Sequence, residues 1–298
     1  MAENDQVLLF LAPLSFLGVI VNWLSFISIH RLKVFSHSFG YLSSIQAFAG
    51  GFHSTVFLLY FCPMVLLNQP FLKEYSHFCG FVLLFFYELS VSTHLLVSIN
   101  RLLAVWSPLS YNKIFTLKNT KIMVISLWLY NLVNAYLFYI RLCHFYYKPD
   151  AHFLTFTNSP LCDSVGWYVD FLKNSAIVTI FIILDIITLI KVKRTFRHIK
   201  HQVNSANALK MSRRDRRFLK QTVIQGSVFL IEILFYFFIP QNFEDRWIVF
   251  FGTSFAWVAV PVADLILIIC NPEIRKYIFK ILFRQCKFLR LSWKLIFQ

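Results

Sequence analysis

The sequence contains little charge for its length. Only 14% of its 298 residues are Asp, Glu, Lys or Arg, whereas 58% are hydrophobic. A soluble domain of this size would need far more charge to cover its surface. The composition therefore excludes an ordinary soluble protein and favours one that has a lipid bilayer as its solvent.

The motifs of common catalytic and phosphate-binding sites are also missing. The chain has no His-Glu-x-x-His, no Gly-x-Ser-x-Gly and no phosphate-cradling glycine loop, and it contains only 8 glycines. No spacing of Cys and His is typical of a zinc site. We therefore expect a protein that is not an enzyme and that uses neither a metal nor another cofactor.

Long apolar runs are abundant instead. A helix that crosses roughly 30 Å of hydrocarbon needs about 20 mostly apolar residues. Seven stretches satisfy this requirement, and no repeated alternation of polar and apolar residues indicates a barrel. The sequence predicts an all-α membrane protein, a single seven-transmembrane helix bundle over residues 1–298, with spans at about 7–29, 40–67, 78–103, 121–142, 171–190, 218–239 and 248–270.

The basic residues are segregated by side. Of the 29 Lys and Arg, 24 follow the first, third, fifth and seventh spans, and the opposite side has only Lys73, Arg141, Lys148, Lys173 and Arg246. The acid Asp170 is assigned to that opposite side as well. Because cytoplasmic loops retain Lys and Arg, the N-terminus is predicted to be extracellular and the C-terminus cytoplasmic. A nucleic-acid-binding protein would not alternate its charge between loops, so we predict no nucleic-acid partner.

The segment after the seventh span predicts a short amphipathic helix at about 272–285. Lys276, Lys280, Arg284 and Lys287 follow one another at spacings of 4, 4 and 3, which places them along one helical face. Such a helix would lie on the inner leaflet with its basic residues near anionic lipids, so we expect membrane lipids as partners.

Two cysteines lie where an oxidising environment is expected. Cys79 is at the outer start of the third span, and Cys162 is in an outer segment of about 144–168. We predict a disulfide between them, which would tie the outer segment to the bundle. Cys143, at the outer end of the fourth span, is an alternative partner that the sequence alone leaves open.

Acidic residues occur inside the predicted spans. Because a charge is costly in hydrocarbon, these side chains are expected to face the bundle interior. They serve either as contacts between helices or as part of a ligand site, and both readings stay open. Glu88 lies nearest the outer half, and Asp185, nearer the inner leaflet, is expected to pack structurally. The predicted ligand pocket consists of Glu88, Tyr87, Glu232 and Asp264.

Arg101 marks the inner end of the third span. From Cys79 to Arg101 is 22 residues, or about 33 Å of helix, which is one crossing. Position alone would make it a snorkelling arginine at a helix end. However, the segment "NRLLAVWSPLSY" resembles the Asp-Arg-Tyr box and the following Pro-Leu-x-Tyr of rhodopsin-like G-protein-coupled receptors, with Pro108 and Tyr111 in the positions of that pattern.

Other residues lie in the register of the same superfamily. Trp128 follows Arg101 by 27 residues, Asn22 lies in the first span, and Asn271 and Pro272 end the seventh. The match is closer to the nematode serpentine receptor class x chemoreceptors. The stretches "HLLVSINRLLAVWSPLSYNKIFTLKNTK" and "ICNPEIRK" resemble their pattern, and the resemblance covers nearly the whole chain.

The resemblance implies a G-protein-coupled chemosensory receptor in the plasma membrane of a sensory neuron. Such a receptor binds an external small chemical within the bundle and activates a cytoplasmic heterotrimeric G protein. The residues implied in coupling are Asn100, Arg101, Pro108 and Tyr111. The alternative function is a small-solute or proton-coupled transporter, and the lack of internal repeats counts against it.

The chain departs from the rhodopsin-like pattern: the sixth span lacks Cys-Trp-x-Pro, Arg275 occupies the place of the usual Tyr, and two further departures bear on the sites. Asn100 replaces the acid that would restrain Arg101, so an ionic lock within the third helix is absent. Gly50 stands where many rhodopsin-like receptors keep a sodium-binding Asp. A looser resting state and the lack of that ion site are therefore expected.

Overall fold

The computed structural model describes residues 3–202 and 206–281. Within these residues seven helices are long and apolar enough to cross a membrane, and we number them in chain order. They are α1 Asn4–Arg31, α2 Ser38–Leu67, α3 Ser76–Trp106, α4 Leu117–Leu142, α5 Pro160–Thr195, α6 Gln221–Asn242 and α7 Arg246–Cys270. The predicted fold class, an all-α seven-helix membrane bundle, is confirmed.

Two helices extend beyond the apolar spans at the inner end of the bundle. The helix of α5 runs on to Gln202, and the helix that contains α6 begins at Ala206. Four helices contain π-helical turns, which widen the helix locally and shift the side chains that follow. These turns lie at Phe57–Phe61, Leu137–Leu142, Val165–Leu172 and Phe251–Phe255.

The start of α5 differs most from its predicted position. The apolar run predicts a start near residue 171, but the helix begins at Pro160. The hydroxyl of Ser159 accepts a hydrogen bond from the backbone N–H of Cys162, and a proline in the first turn suits a helix start. As a result Asp170, which the charge count assigned to the outer side, lies within a spanning helix. Lys173, also counted on the outer side at the start of the predicted span, lies well inside the helix.

A β-hairpin covers the outer end of the bundle. Strand β1, Phe145–Lys148, pairs antiparallel with β2, Phe153–Phe156, across a 3-10 turn at Pro149–Ala151. The hairpin is bonded to three helices: the Tyr147 N–H donates to Ser76 of α3 at 3.0 Å, and the His152 and Leu154 carbonyls accept from Ser254 of α7 and Tyr236 of α6. Its position is therefore determined by contacts with the bundle.

The predicted disulfide between Cys79 and Cys162 is wrong. Cys162 bonds to Cys143, with a Cα–Cα distance of 5.5 Å, and Cys79 is a buried thiol of α3 that has no disulfide partner among the described residues. Cys143 ends α4 and Cys162 lies in the first turn of α5, so both flank the hairpin. The bond therefore closes the base of the hairpin rather than joining it to α3.

The remaining short elements lie at the helix ends. A 3-10 turn, Lys33–Phe35, precedes α2, and the short helices Pro70–Glu74 and Pro108–Ile114 precede α3 and α4. Residues 272–281 form a helix whose Ile274 and Ile278 are buried while Lys276 and Lys280 are exposed, so the short C-terminal helix is amphipathic. Arg284 and Lys287 lie outside the described residues.

Candidate ligand and coupling sites

Glu88 of α3 is the centre of a polar cluster in the outer half of the bundle. Its carboxylate is fully buried, and Oε1 accepts hydrogen bonds from the Tyr139 hydroxyl and from the Lys173 ammonium, both at 2.6 Å. The Lys173 contact is a salt bridge in which Lys173 is 20% exposed. Oε2 has no hydrogen-bond partner among the described residues. This cluster joins α3, α4 and α5.

A second carboxylate, that of Glu232 on α6, is bonded to the residue that precedes Glu88 on α3. The hydroxyl of Tyr87 donates to Oε2 of Glu232 on α6 at 2.6 Å, and both side chains are buried. A third carboxylate, Asp170 of α5, is buried and accepts from the Asn174 amide at 2.9 Å. Three acidic residues and one lysine therefore share this layer of the bundle.

Two neighbouring spaces lie in the outer half of the bundle, and the inner one is lined by two of these carboxylates. The inner cavity, about 20 Å³, is lined by Asp170 and Glu232 and by the rings of Tyr87, Phe145, Tyr236, Phe237 and Trp257. The outer vestibule, about 500 Å³, lies between the hairpin, α5 and α6. Because Phe145, Tyr236 and Phe237 line both spaces, these rings stand between them.

The structure brings together three of the four residues predicted for the ligand pocket. Tyr87 and Glu232 line the inner cavity, and Glu88 is one residue along α3 from Tyr87. Asp264 accepts from the Gln225 amide at 2.5 Å and lines another narrow cavity beside His53 of α2. Tyr87 lines both cavities, so it lies between Asp264 and Glu232.

Gly50 explains how Asp264 is accommodated. A Cβ atom added there would lie 2.6 Å from Oδ1 of Asn22 and 3.1 Å from Oδ2 of Asp264, so any side chain would displace both groups. Asn22 donates to the carbonyls of Gly18 and Pro261 at 2.9 and 2.8 Å. The second bond joins α1 to α7 just before the turn at Ala263 and Asp264. An acidic residue at position 50 does not fit this packing.

Arg101 lies at the inner end of α3 and is only 9% exposed. Its Nη1 donates to Oγ1 of Thr222 on α6 at 3.2 Å, and its guanidinium lies 4.5 Å from the centroid of the Phe39 ring on α2. The fully buried Asp185 of α5 lies within electrostatic range of Arg101, next to Thr222 and Ser98. Neither oxygen of Asp185 has a well-formed hydrogen bond among the described residues. The arginine is therefore surrounded by three other helices.

Asn100 is bonded to the start of α2. Its buried amide donates to Oγ of Ser38 at 3.3 Å, and Ser38 shares a hydrogen bond of 2.9 Å with the Tyr111 hydroxyl. Pro108 is the first residue of the short helix that contains Tyr111. Asn100 therefore connects α3, through the start of α2, to the short inner helix.

The other motif residues contact neighbouring helices. Trp128 of α4 packs against Phe48 of α2 and Phe85 of α3, with ring centroids 5.6 and 6.0 Å apart. Asn271 ends α7, and its Oδ1 accepts from the Glu273 N–H at 3.4 Å in the turn that Pro272 begins. These contacts are structural.

Several residues of the two sites were not predicted from the sequence, among them Asp170, Lys173, Thr222 and Tyr139. Asp170 and Lys173 were assigned to the outer side, and the hydroxyl residues Thr222 and Tyr139 have no sequence signal that separates them from others of their kind. Ser159 followed by Pro160 is a typical helix-start pattern. This pattern could have placed Asp170 and Lys173 inside α5.

The chain is similar to known receptors along most of its length. Residues 13–271 match the family described as "Serpentine type 7TM GPCR chemoreceptor Srx". The protein named Serpentine receptor class X 45 from Caenorhabditis elegans is 26% identical over 279 residues, which cover 88% of this chain and 77% of that protein. Serpentine receptor class X-43 from the same organism is 27% identical over 222 residues, 72% of this chain and 68% of that one. The crystal structure of squid rhodopsin superposes with a TM-score of 0.77 at 16% identity, covering 94% of this chain and 85% of that one.

Proposed function

Since the chain belongs to the Srx family of serpentine-type seven-transmembrane chemoreceptors, we propose that it binds an external small chemical within its helix bundle and activates a cytoplasmic heterotrimeric G protein. The observation that carries this proposal is the burial of Arg101 at the inner end, where α6 contributes the hydroxyl that holds it. An outward movement of α6 would remove that hydroxyl and expose the guanidinium to a partner.

The outer half supports ligand binding. The vestibule lies beside the hairpin, and the neighbouring inner cavity is lined by the buried carboxylates of Asp170 on α5 and Glu232 on α6. Small-molecule sites are usually concave spaces of roughly 300–1,000 Å³ with a few convergent polar groups. A ligand there would contact α6 through Glu232 and thereby favour one position of that helix over another.

The inner half supports coupling. Arg101, Asn100, Pro108 and Tyr111 lie at the same end of the bundle, and the last three are connected to α2 by hydrogen bonds or by the short helix. We assign Arg101 the direct role at the G protein. Asn100, Pro108 and Tyr111 are assigned to positioning the short inner helix beside it.

The test is a ligand-evoked G-protein response in a reporter cell. Arg101→Ala is expected to reduce the response at least about a hundredfold at unchanged surface expression, because the charge-assisted hydrogen bonds of the guanidinium group are lost. Arg141→Ala, the same substitution at an exposed position of the outer end, is the matched control and should respond normally. A normal response from Arg101→Ala would show that the coupling role is wrongly assigned.

The same proposal places this multi-pass membrane protein in the plasma membrane of a sensory neuron, with its N-terminus outside. The segregation of Lys and Arg supports this orientation. The disulfide supports it too, since Cys143 and Cys162 lie at the end predicted to face the oxidising side. Exposed Lys276 and Lys280 suit contact with anionic lipids of the inner leaflet. An N-terminal epitope tag should be readable on intact cells, and a tag readable only after permeabilisation would contradict the orientation.

A further inference from the structure

The carboxylates of the outer cluster outnumber the cations around them. Lys173 bonds to Glu88 and also acts electrostatically on Asp170. Glu232, in contrast, has only the Tyr87 hydroxyl and the like charge of Asp170 beside it, and no described cation acts on it. A buried carboxylate without a cation is costly, so this site favours a ligand that brings a positive charge.

The walls of the inner cavity also suit a cation. Trp257 is the central ring, and the centroids of Phe145, Tyr236 and Tyr87 lie 5.9, 5.7 and 6.0 Å from it. Aromatic faces attract ammonium groups through their quadrupoles, and grouped rings are a known way of binding organic cations. Rings and carboxylates therefore line the same small space.

The sizes of the two spaces indicate how such a ligand would lie. The inner cavity of about 20 Å³ has room for one water-sized group, which is the size of an ammonium group. The vestibule of about 500 Å³ is large enough for an apolar body of several carbons. Among the described residues no group of three His, Cys, Asp or Glu is arranged to hold a metal ion, so the geometry favours an organic cation.

We propose that the ligand is a small organic amine whose ammonium group lies in the inner cavity against Glu232 and Asp170, with its apolar body in the vestibule. The inference rests on the proposed receptor function and specifies its ligand class. Tyr87 acts as a positioning residue, because its hydroxyl holds one oxygen of Glu232 and leaves the other for the ammonium group.

The experiment compares ligands of one skeleton with different charge. Purified receptor in detergent is heated with 2-phenylethylamine, 2-phenylethanol or phenylacetate. A second series uses the primary amines from butylamine to octylamine. In both series the melting temperature is recorded against ligand concentration. Binding to the folded state raises the melting temperature. We expect amines to stabilise the receptor, whereas the alcohol and the acid do not.

The variants test the assigned carboxylates. Glu232→Gln keeps an acceptor for Tyr87 but removes the charge, and it should weaken amine binding about tenfold or more. Asp170→Asn, which keeps an acceptor for Asn174, provides a second test through another helix. The matched control is Glu244→Gln at an exposed position just after α6, and its amine affinity should equal that of the wild type.

Each outcome decides one of the two proposals. Failure of every amine to stabilise the receptor, equal stabilisation by the alcohol, or an unchanged affinity in both carboxylate variants would overturn the amine inference. If amines bind but no G-protein response follows in reporter cells, the coupling proposal fails and the amine inference stands. If another class of chemical evokes the response while amines do not bind, receptor function stands and the amine inference fails.

Discussion

The outer and inner ends of the bundle hold their buried charges in different ways. At the outer end Glu88 has two hydrogen bonds of 2.6 Å, one of them to a lysine, and a disulfide closes the base of the hairpin above it. At the inner end Arg101 has a bond of 3.2 Å to a neutral hydroxyl, and Asp185 lies close without a well-formed hydrogen bond. The outer contacts are shorter, include an ion pair and are covalently supported.

This difference suits a receptor. A binding site gains affinity when its groups are held in place before the ligand arrives, whereas a switch needs contacts weak enough to exchange. Helix α6 takes part at both ends through Glu232 and Thr222, which are 10 residues, or about 15 Å, apart along the helix. A ligand that shifts α6 at Glu232 would therefore act on the contact that holds Arg101.

The strongest test of the outer end is Glu88→Gln. It removes the ion pair of Lys173 in a mostly buried site and leaves the ammonium with only the electrostatic contact to Asp170, so we expect the free energy of unfolding to fall by about 3 kcal/mol. Thermal unfolding in detergent measures the change. Adding Lys173→Met should recover part of the loss, because the unpaired ammonium is gone although Asp170 then loses its nearby cation. The exposed Glu74→Gln is the control, and equal melting temperatures of this control and Glu88→Gln would contradict the rigid outer cluster.

The disulfide provides the next largest effect. Cys143→Ala opens a loop of 19 residues and is expected to lower stability by about 2–3 kcal/mol. Reductant should then have no further effect on the melting temperature. Cys79→Ala is the informative control, because a reductant should still destabilise it. Loss of the reductant effect in Cys79→Ala would restore the pairing of Cys79 that the structure contradicts.

The seven helices could be predicted because run length in a bilayer is a strong constraint on one stretch of chain at a time. Glu88 and Glu232 could be predicted as inward-facing because a charge is costly in hydrocarbon. Asp170 could not, because the predicted span began one residue after it, and Lys173 stood near the start of that span, where a cation is expected to reach the membrane surface. The partner of Cys162 depends on where α4 and α5 meet in space, which no spacing in the sequence reports. Thr222 is one hydroxyl among many until the fold places it beside Arg101.

The inner end is tested by Asp185→Asn. The substitution keeps the shape of the side chain and removes the negative charge beside Arg101, which stabilises the buried arginine electrostatically. A loss of about 1 kcal/mol would raise ligand-independent signalling about fivefold. Basal reporter activity, normalised to surface expression, is the measurement. Asp150→Asn, at an exposed outer position, is the control, and basal signalling of Asp185→Asn at or below this control would show that Asp185 does not restrain the resting state.

Asn100→Asp should have the smallest effect. An acid beside Arg101 adds the restraint that the rhodopsin-like pattern supplies, so basal signalling should fall, by about twofold. The effect is limited because the side chain at position 100 contacts Ser38. The Ser38 hydroxyl accepts from the Asn100 amide, and it can donate to the carboxylate of the variant instead. Asn100→Ala separates the two contributions, since it removes the Ser38 contact without adding charge. If Asn100→Asp and Asn100→Ala change basal signalling equally, the position acts through the α2 contact and not through charge on Arg101.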